Sequence, residues 1–328
     1  MLANAAPGSA RRTAGARYRP APANRSPFGA RGRGGFTPYF GFVPGMGLFI
    51  FFLLIPAVAI FYFSLTDATG VSGIPIHFVG LANFRTFFHE PQDRSIIERT
   101  LIYAGVVTVV QNSLALGIAV VLNGRIRYRS FIRTVVFAPT VLGVTVTGLV
   151  WELILDPTNG PVASVLGHFG IHSSFFGSES IAFWLVITVQ IWMGLGYGVA
   201  IFIAGLQTVP PDLLEAAGVD GANAGQRFRR VTWPLLAPCV TTNVLIAIIG
   251  SITGYQLIYV LTAGLNNTSV LSFAVFAAGF GQTTGFGTGN QFFAQQGYAA
   301  SISVVQFVIT AVLAFGVLGY LRRREPQL

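Results

Sequence analysis

Between Val231 and Leu321 the chain contains no Asp, Glu, Lys or Arg. A stretch of this length has no charged residues with which to cover itself, so it cannot be the exterior of a water-soluble domain. The rest of the chain follows the same pattern on a smaller scale, with charges gathered in short segments between long apolar runs. Of its 328 residues, 53% are hydrophobic and only 9% charged, whereas soluble domains carry about 25% charge. The solvent that suits such a chain is a bilayer.

A spanning helix needs about 20 predominantly apolar residues. Six segments qualify: residues 37–65, 100–123, 134–155, 180–208, 238–261 and 298–321. The reading is therefore an all-α membrane protein with six transmembrane helices. Pro44 and Pro56 predict kinking in the first span. Residues 262–297 are dense in Gly, Asn, Gln and Thr and read as a loop. Within it, residues 269–280 are apolar but too short to span, which predicts a short interfacial or re-entrant helix. Residues 1–36, rich in Ala, Arg, Pro and Gly, bury too little to offset their ordering entropy and read as a disordered basic arm. The Arg11-Arg12 pair stands too far from the first apolar run for an export signal. The transmembrane domain is then residues 37–324.

All 20 basic residues are arginine. With six spans, only Arg85, Arg94 and Arg99 fall on the side opposite the termini. Positively charged loops stay in the cytoplasm, so both termini and the loop between the fourth and fifth spans are expected there. This clustering also explains the net charge of +9 without nucleic acid. Cys239 is the single cysteine; it can form no internal disulfide or CxxC site and reads as a small apolar helix residue. The histidines (His77, His89, His168 and His172) lie in outward loops and read as solvated, with no metal site expected.

The most informative segment is the cytoplasmic loop, residues 209–238. Pro211 and Asp212 form a good helix start. Residues 212–219 make two turns carrying Leu213, Leu214, Ala216 and Ala217. Gly221 can adopt a positive φ and reverse the chain. Residues 226–231 then begin a second short helix, ended by Trp233-Pro234. A helix–turn–helix with an exposed apolar face beside Glu215 asks for a partner.

Glu215-Ala216-Ala217, Asp220-Gly221-Ala222, Phe228 and Pro234-Leu235-Leu236-Ala237-Pro238 resemble the EAA motif of binding-protein-dependent ABC importer permeases, in the form typical of the maltose-type sugar permease subfamily. Trp233 departs from the leucine usual before the proline. Residues 78–84, and Arg133 with Pro139 and Trp151, resemble further family patterns. The resemblance implies the type I importer permease fold, in which this loop docks in a cleft of a cytoplasmic ATPase. It assigns ATPase coupling to Leu214, Glu215, Ala216, Ala217, Asp220 and Gly221. It implies a second homologous permease, an ATP-binding-cassette ATPase dimer and an extracytoplasmic solute-binding protein as partners, in a bacterial cell membrane. ATP and Mg would be bound by the ATPase, with no cofactor in this chain. A P-loop needs a lysine, and the sequence has none.

No ionisable residue lies mid-span, where an ion-coupled transporter usually places one; Glu152 and Asp156 read as interfacial. A secondary transporter or channel, the competing reading, has neither that feature nor an inverted repeat in its favour. A membrane-embedded enzyme would need a carboxylate dyad, a His cluster or a nucleophile with its base at membrane depth, and none is visible. The interior polar groups are neutral: Gln111, Asn112 and Ser113; Gln190, Trp192, Gly194 and Tyr197; Asn243, Ser251, Thr253, Tyr255 and Gln256; Ser301, Ser303 and Gln306. They suit an uncharged, hydroxylated solute. By similarity to the maltose-type permeases, Gln190, Gly194, Tyr197, Ser251 and Tyr255 are the expected solute contacts.

Overall fold

The computed structural model describes residues 37–124, 127–281 and 294–323. The basic arm lies outside the described residues, as do parts of the loop at 262–297. The chain divides into two compact units, one ending at Leu53 and the other beginning at Leu54. In the first, helix α1 (Thr37–Phe49) leads into a π-helical turn (Ile50–Leu54). The turn precedes Pro56, which supplies no N–H to the helix, and a widened turn is one way a helix accommodates that loss.

The second unit begins with α2 (Ile55–Phe63), followed by the short α3 (Ala82–His89) and the long α4 (Pro91–Asn123). Helix α4 starts nine residues before the span expected from hydropathy, with Pro91 in its first turn and Asp93 near its positive end. The next elements are α5 (Arg129–Val141), α6 (Val144–Ile154), the short α7 (Pro161–Gly167) and α8 (Ala182–Gln207). The loop after α8 holds α9 (Pro211–Val219), α10 (Ala224–Arg227), a π turn (Phe228–Thr232) and α11 (Trp233–Leu235). Helices α12 (Ala237–Thr253), α13 (Gln256–Thr262), α14 (Leu271–Phe280) and α15 (Gln296–Arg322) complete the described chain.

Four helical stretches are long and apolar enough to cross a membrane, and two bent pairs bring the number to six if each pair is one span. The third span is therefore not the single helix expected over 134–155. Leu142 and Gly143 are extended, and α5 and α6 meet at 103°. Pro139, which lacks an N–H, sits in the last turn of α5, so the helix is weakened where it ends. The fifth span also departs from the expected 238–261: Gly254 is extended (φ −81°, ψ 109°), and the helix restarts at Gln256.

Helices α4 and α8 form the centre, packing through small residues. A Cβ on Gly198 would lie 2.9 Å from Ala115 Cβ, and Asn243 Nδ2 donates to Gly198 O at 3.2 Å. Further along, Gly205 lies against Cys239, where a Cβ would approach Sγ to 2.4 Å. Close backbone approach is how helices associate where lipid competes for apolar surface. Tyr103, Val107, Ile187, Ile191, Leu257 and Phe273 pack one core on this axis, and Ala119, Phe202, Leu206 and Leu236 another. Helix α14 is short, as expected, and packed into the protein: Leu271, Phe273 and Ala274 are wholly enclosed.

Candidate functional site

Two places carry the residues singled out in the sequence. The first is the loop after α8. Helix α9 ends in a Schellman turn: Gly221 N–H donates to Gly218 O (3.1 Å) and Ala222 N–H to Ala217 O (2.9 Å). Gly221 has φ +81°, with nothing within 4 Å of a Cβ placed there. Its glycine is therefore required by conformation, not by crowding within the chain. The second helix starts at Ala224, two residues earlier than expected, because Asn223 and Gln226 form a reciprocal capping box with both bonds at 2.9 Å. Trp233-Pro234 does not end it. Trp233 N–H instead reaches Phe228 O across the π turn, and the helix continues to Leu235 before a 67° bend into α12.

No residue of α9 is buried. Glu215, Ala216, Asp220 and Gly221 are exposed, Leu214 and Ala217 are half-buried, and Val219 is 90% exposed. All six residues assigned to coupling thus share one short protruding element. A notch of about 380 Å³ beside it is lined by Ala217, Asp220, Gly221, Ala222, Gln226, Arg227, Arg230 and Val231.

The second place is a cavity of about 490 Å³ among α4, the α5–α6 break, α8 and α12. Gln190, Gly194, Tyr197 and Ser251 all line it, so four of the five expected solute contacts are brought together. The break contributes Thr140, Val141, Leu142, Gly143 and Val144, a wall that a straight third span would not have provided. Tyr197 is 63% exposed. The Gln190 amide and Tyr197 hydroxyl have no hydrogen-bond partner among the described residues, whereas Ser251 Oγ donates to Ile248 O at 3.0 Å. No charged residue lines the cavity. Gln111 lines it too, reaching over from α4; among the neutral groups of the second span, nothing in the sequence distinguished it from Asn112 or Ser113. Its amide lies against Gly194, donating to Gly194 O at 3.3 Å. A Cβ on Gly194 would meet Gln111 Oε1 at 2.5 Å, so the space beside this glycine belongs to Gln111 rather than to an approaching solute.

Tyr255 is not part of this constellation. On an unbroken helix it would share a face with Ser251, four residues earlier, but the break at Gly254 sends it elsewhere. It lines a separate cavity of about 590 Å³, with its ring stacked on Phe276 at 4.6 Å and 18°. Three polar groups of that cavity serve the backbone: Thr253 Oγ1 donates to Ile249 O, Ser303 Oγ to Ala299 O and Gln306 Nε2 to Ile252 O, whereas the buried Ser272 Oγ has no hydrogen-bond partner among the described residues.

On the loop after α2, His77 has an exposed side chain, as expected, which is also paired with a carboxylate. Its N–H donates to Asp67 Oδ1 at 2.6 Å, and its Nδ1 lies 3.0 Å from Oδ2. The backbone hydrogen bond first, and the side-chain contact second, hold the Asp67 carboxyl below its ordinary pKa. His168 Nδ1 is 2.7 Å from its own helix's Ser164 O, and no cluster of three metal-ligating side chains occurs among the described residues.

A family model described as binding-protein-dependent transport system inner membrane component matches residues 111–325. Among curated proteins, the chain is 28% identical over 281 residues to the probable starch degradation products transport system permease protein AmyD of Thermoanaerobacterium thermosulfurigenes, covering 85% of this chain and 91% of that one. It is 32% identical over 241 residues to the probable ABC transporter permease protein y4oQ of Sinorhizobium fredii, covering 73% and 78%. With the trehalose/maltose transport system permease protein MalF of Thermococcus litoralis it shares 27% identity over 282 residues, covering 85% and 91%. Its fold matches a chain in the crystal structure of a bacterial alginate ABC transporter, with a TM-score of 0.75, 21% identity and coverage of 88% and 94%.

Proposed function

The chain belongs to the binding-protein-dependent transport system inner membrane component family, and we propose that this multi-pass permease subunit passes a carbohydrate or similar polar solute through the cavity at Gln190, Gly194, Tyr197 and Ser251. The observation that carries this reading is the convergence of these four residues on one uncharged, partly open cavity among the apolar helices. Free amide and phenol groups there match solute hydroxyls. The names of the relatives, which include starch-product and trehalose/maltose permeases, support a sugar.

Transport runs by alternating access. An ATP-binding-cassette ATPase dimer, holding ATP and Mg, docks on Leu214, Glu215, Ala216, Ala217, Asp220 and Gly221. Its closure moves α9 and, through Val209, the adjoining α8. An extracytoplasmic binding protein delivers the solute, and a second homologous permease closes the open side of the cavity, where an exposed tyrosine and two amides would otherwise face lipid. The chain is a transporter subunit without an ATPase site of its own. It resides in a bacterial cell membrane with both termini cytoplasmic, residues 1–36 forming a basic arm ahead of a transmembrane domain at 37–324.

The test is purification in mild detergent followed by reconstitution. An ATPase and a second permease are expected to co-purify, and uptake of a labelled sugar is expected to require ATP and the binding protein. Isolation as an ion-driven monomer overturns the proposal.

A further inference from the structure

We infer that Gln111, on α4, contacts the solute and selects for an uncharged hydroxyl group. The inference rests on reading the cavity among α4, α8 and α12 as the solute site. A glutamine amide has two N–H donors and an oxygen with two lone pairs. One N–H of Gln111 reaches Gly194 O at 3.3 Å, and no other hydrogen bond engages the amide among the described residues. A carbonyl can only be faced by an N–H, so this contact fixes which end of the amide is nitrogen. The oxygen and the second N–H are left for a ligand. They form an acceptor and a donor side by side, which pairs with a hydroxyl that also donates and accepts. A phosphate or carboxylate would find one N–H here, and the cavity lining contains no cation to neutralise it. Unpaired buried charge is disfavoured strongly enough to reject such a solute.

The seat depends on glycine at 194. A methyl group there would stand 2.5 Å from Gln111 Oε1 and 2.8 Å from its Nε2, so alanine must expel the amide. Gly194 is thus a positioning residue for Gln111.

Two measurements on the assembled importer test this. In a Cys239→Ala background, Gln111→Cys and Gln190→Cys are each treated with 2-aminoethyl methanethiosulfonate, which reacts with thiols in water. Both are expected to be modified. Modification at 190 but not at 111 overturns the role of Gln111 and leaves the cavity reading intact; modification at neither overturns both. The second measurement is proteoliposome uptake of [14C]maltose or [14C]trehalose, whichever the wild-type complex carries. Gln111→Leu is expected to raise KM roughly two- to tenfold, the range for one lost neutral hydrogen bond, with kcat unchanged. Gly194→Ala should match it, and Gln111→Ala added to Gly194→Ala should do no further harm. An unchanged KM in Gln111→Leu, additive damage in the double variant, or uptake of [14C]glycerol 3-phosphate in preference to both sugars overturns the proposal.

Discussion

Substitution of Gly221 separates two reasons for a glycine in the turn after α9, where docking of an ATPase is proposed. With φ at +81° and nothing within 4 Å of the position a Cβ would occupy, the only intramolecular obstacle to a larger residue is backbone strain. For an L-residue in the left-handed region that strain is about 1–2 kcal/mol. Asn tolerates the region better than Ala, and a β-branched residue tolerates it worst. If conformation is the requirement, the order of retained function is Gly, Asn, Ala, Val, with Ala opening the Schellman turn about 5- to 30-fold more often than Gly. Hydrogen exchange at the Gly221 and Ala222 amides, which the turn protects, reads this opening directly, and ATPase co-purification reads its effect on docking. If the ATPase surface simply leaves no room for a side chain, the order follows size, and Asn is worse than Ala. Asn below Ala in co-purification, with exchange unchanged in both, refutes the conformational account.

Further outcomes follow from the same geometry. Asn223→Ala removes one half of the capping box and should destabilise the start of α10 by about 0.5–2 kcal/mol, seen as faster exchange at Gln226 N–H. Glu215→Lys alters an exposed residue, so thermal stability should change by no more than about 0.5 kcal/mol while ATPase co-purification falls; a lowered melting temperature of the isolated permease would contradict this. Gly205→Val drives a side chain into Cys239 and should destabilise by about 1–3 kcal/mol, partly restored by Cys239→Ala in the same melting assay. Asp67 has a lowered pKa, so its contribution to loop stability is present above the unfolded carboxylate value of about 4 and is lost only as pH falls through the lower folded value. Carboxyl NMR titration should find its midpoint below the ordinary range, moving up in His77→Ala.

What the sequence made legible follows from how locally each feature is determined. Hydropathy alone locates the spans: each of the six expected segments overlaps an apolar helix or a bent helix pair, although α4 begins well before the segment expected. The turn at Gly221 was readable because a left-handed position after a short helix selects glycine. The breaks at Leu142-Gly143 and Gly254 were not readable. Both sit in apolar runs whose hydropathy does not change when the backbone unwinds, and glycine within a membrane helix is common. Those breaks decide the site, since one builds a cavity wall and the other removes Tyr255 from it. The early start at Ala224 was legible in principle, in the Asn223/Gln226 spacing. The role of Gln111 was not, because it depends on which residue of α8 lies opposite.

Helix α8 is unbroken from Ala182 to Gln207, from the cavity to the loop that carries α9, so under the proposed docking it acts as a lever. Tyr197 stands ten residues, or roughly 15 Å, from its C-terminal end at Gln207. A tilt of about 10° about that end carries Tyr197 through some 2.6 Å, close to the length of one hydroxyl–hydroxyl hydrogen bond. A displacement of that size is enough to engage or release a sugar hydroxyl, with no change in the shape of the helix. Mechanical gain here is set by residue count, so moving the polar ring one turn up or down α8 would change the stroke by about a third.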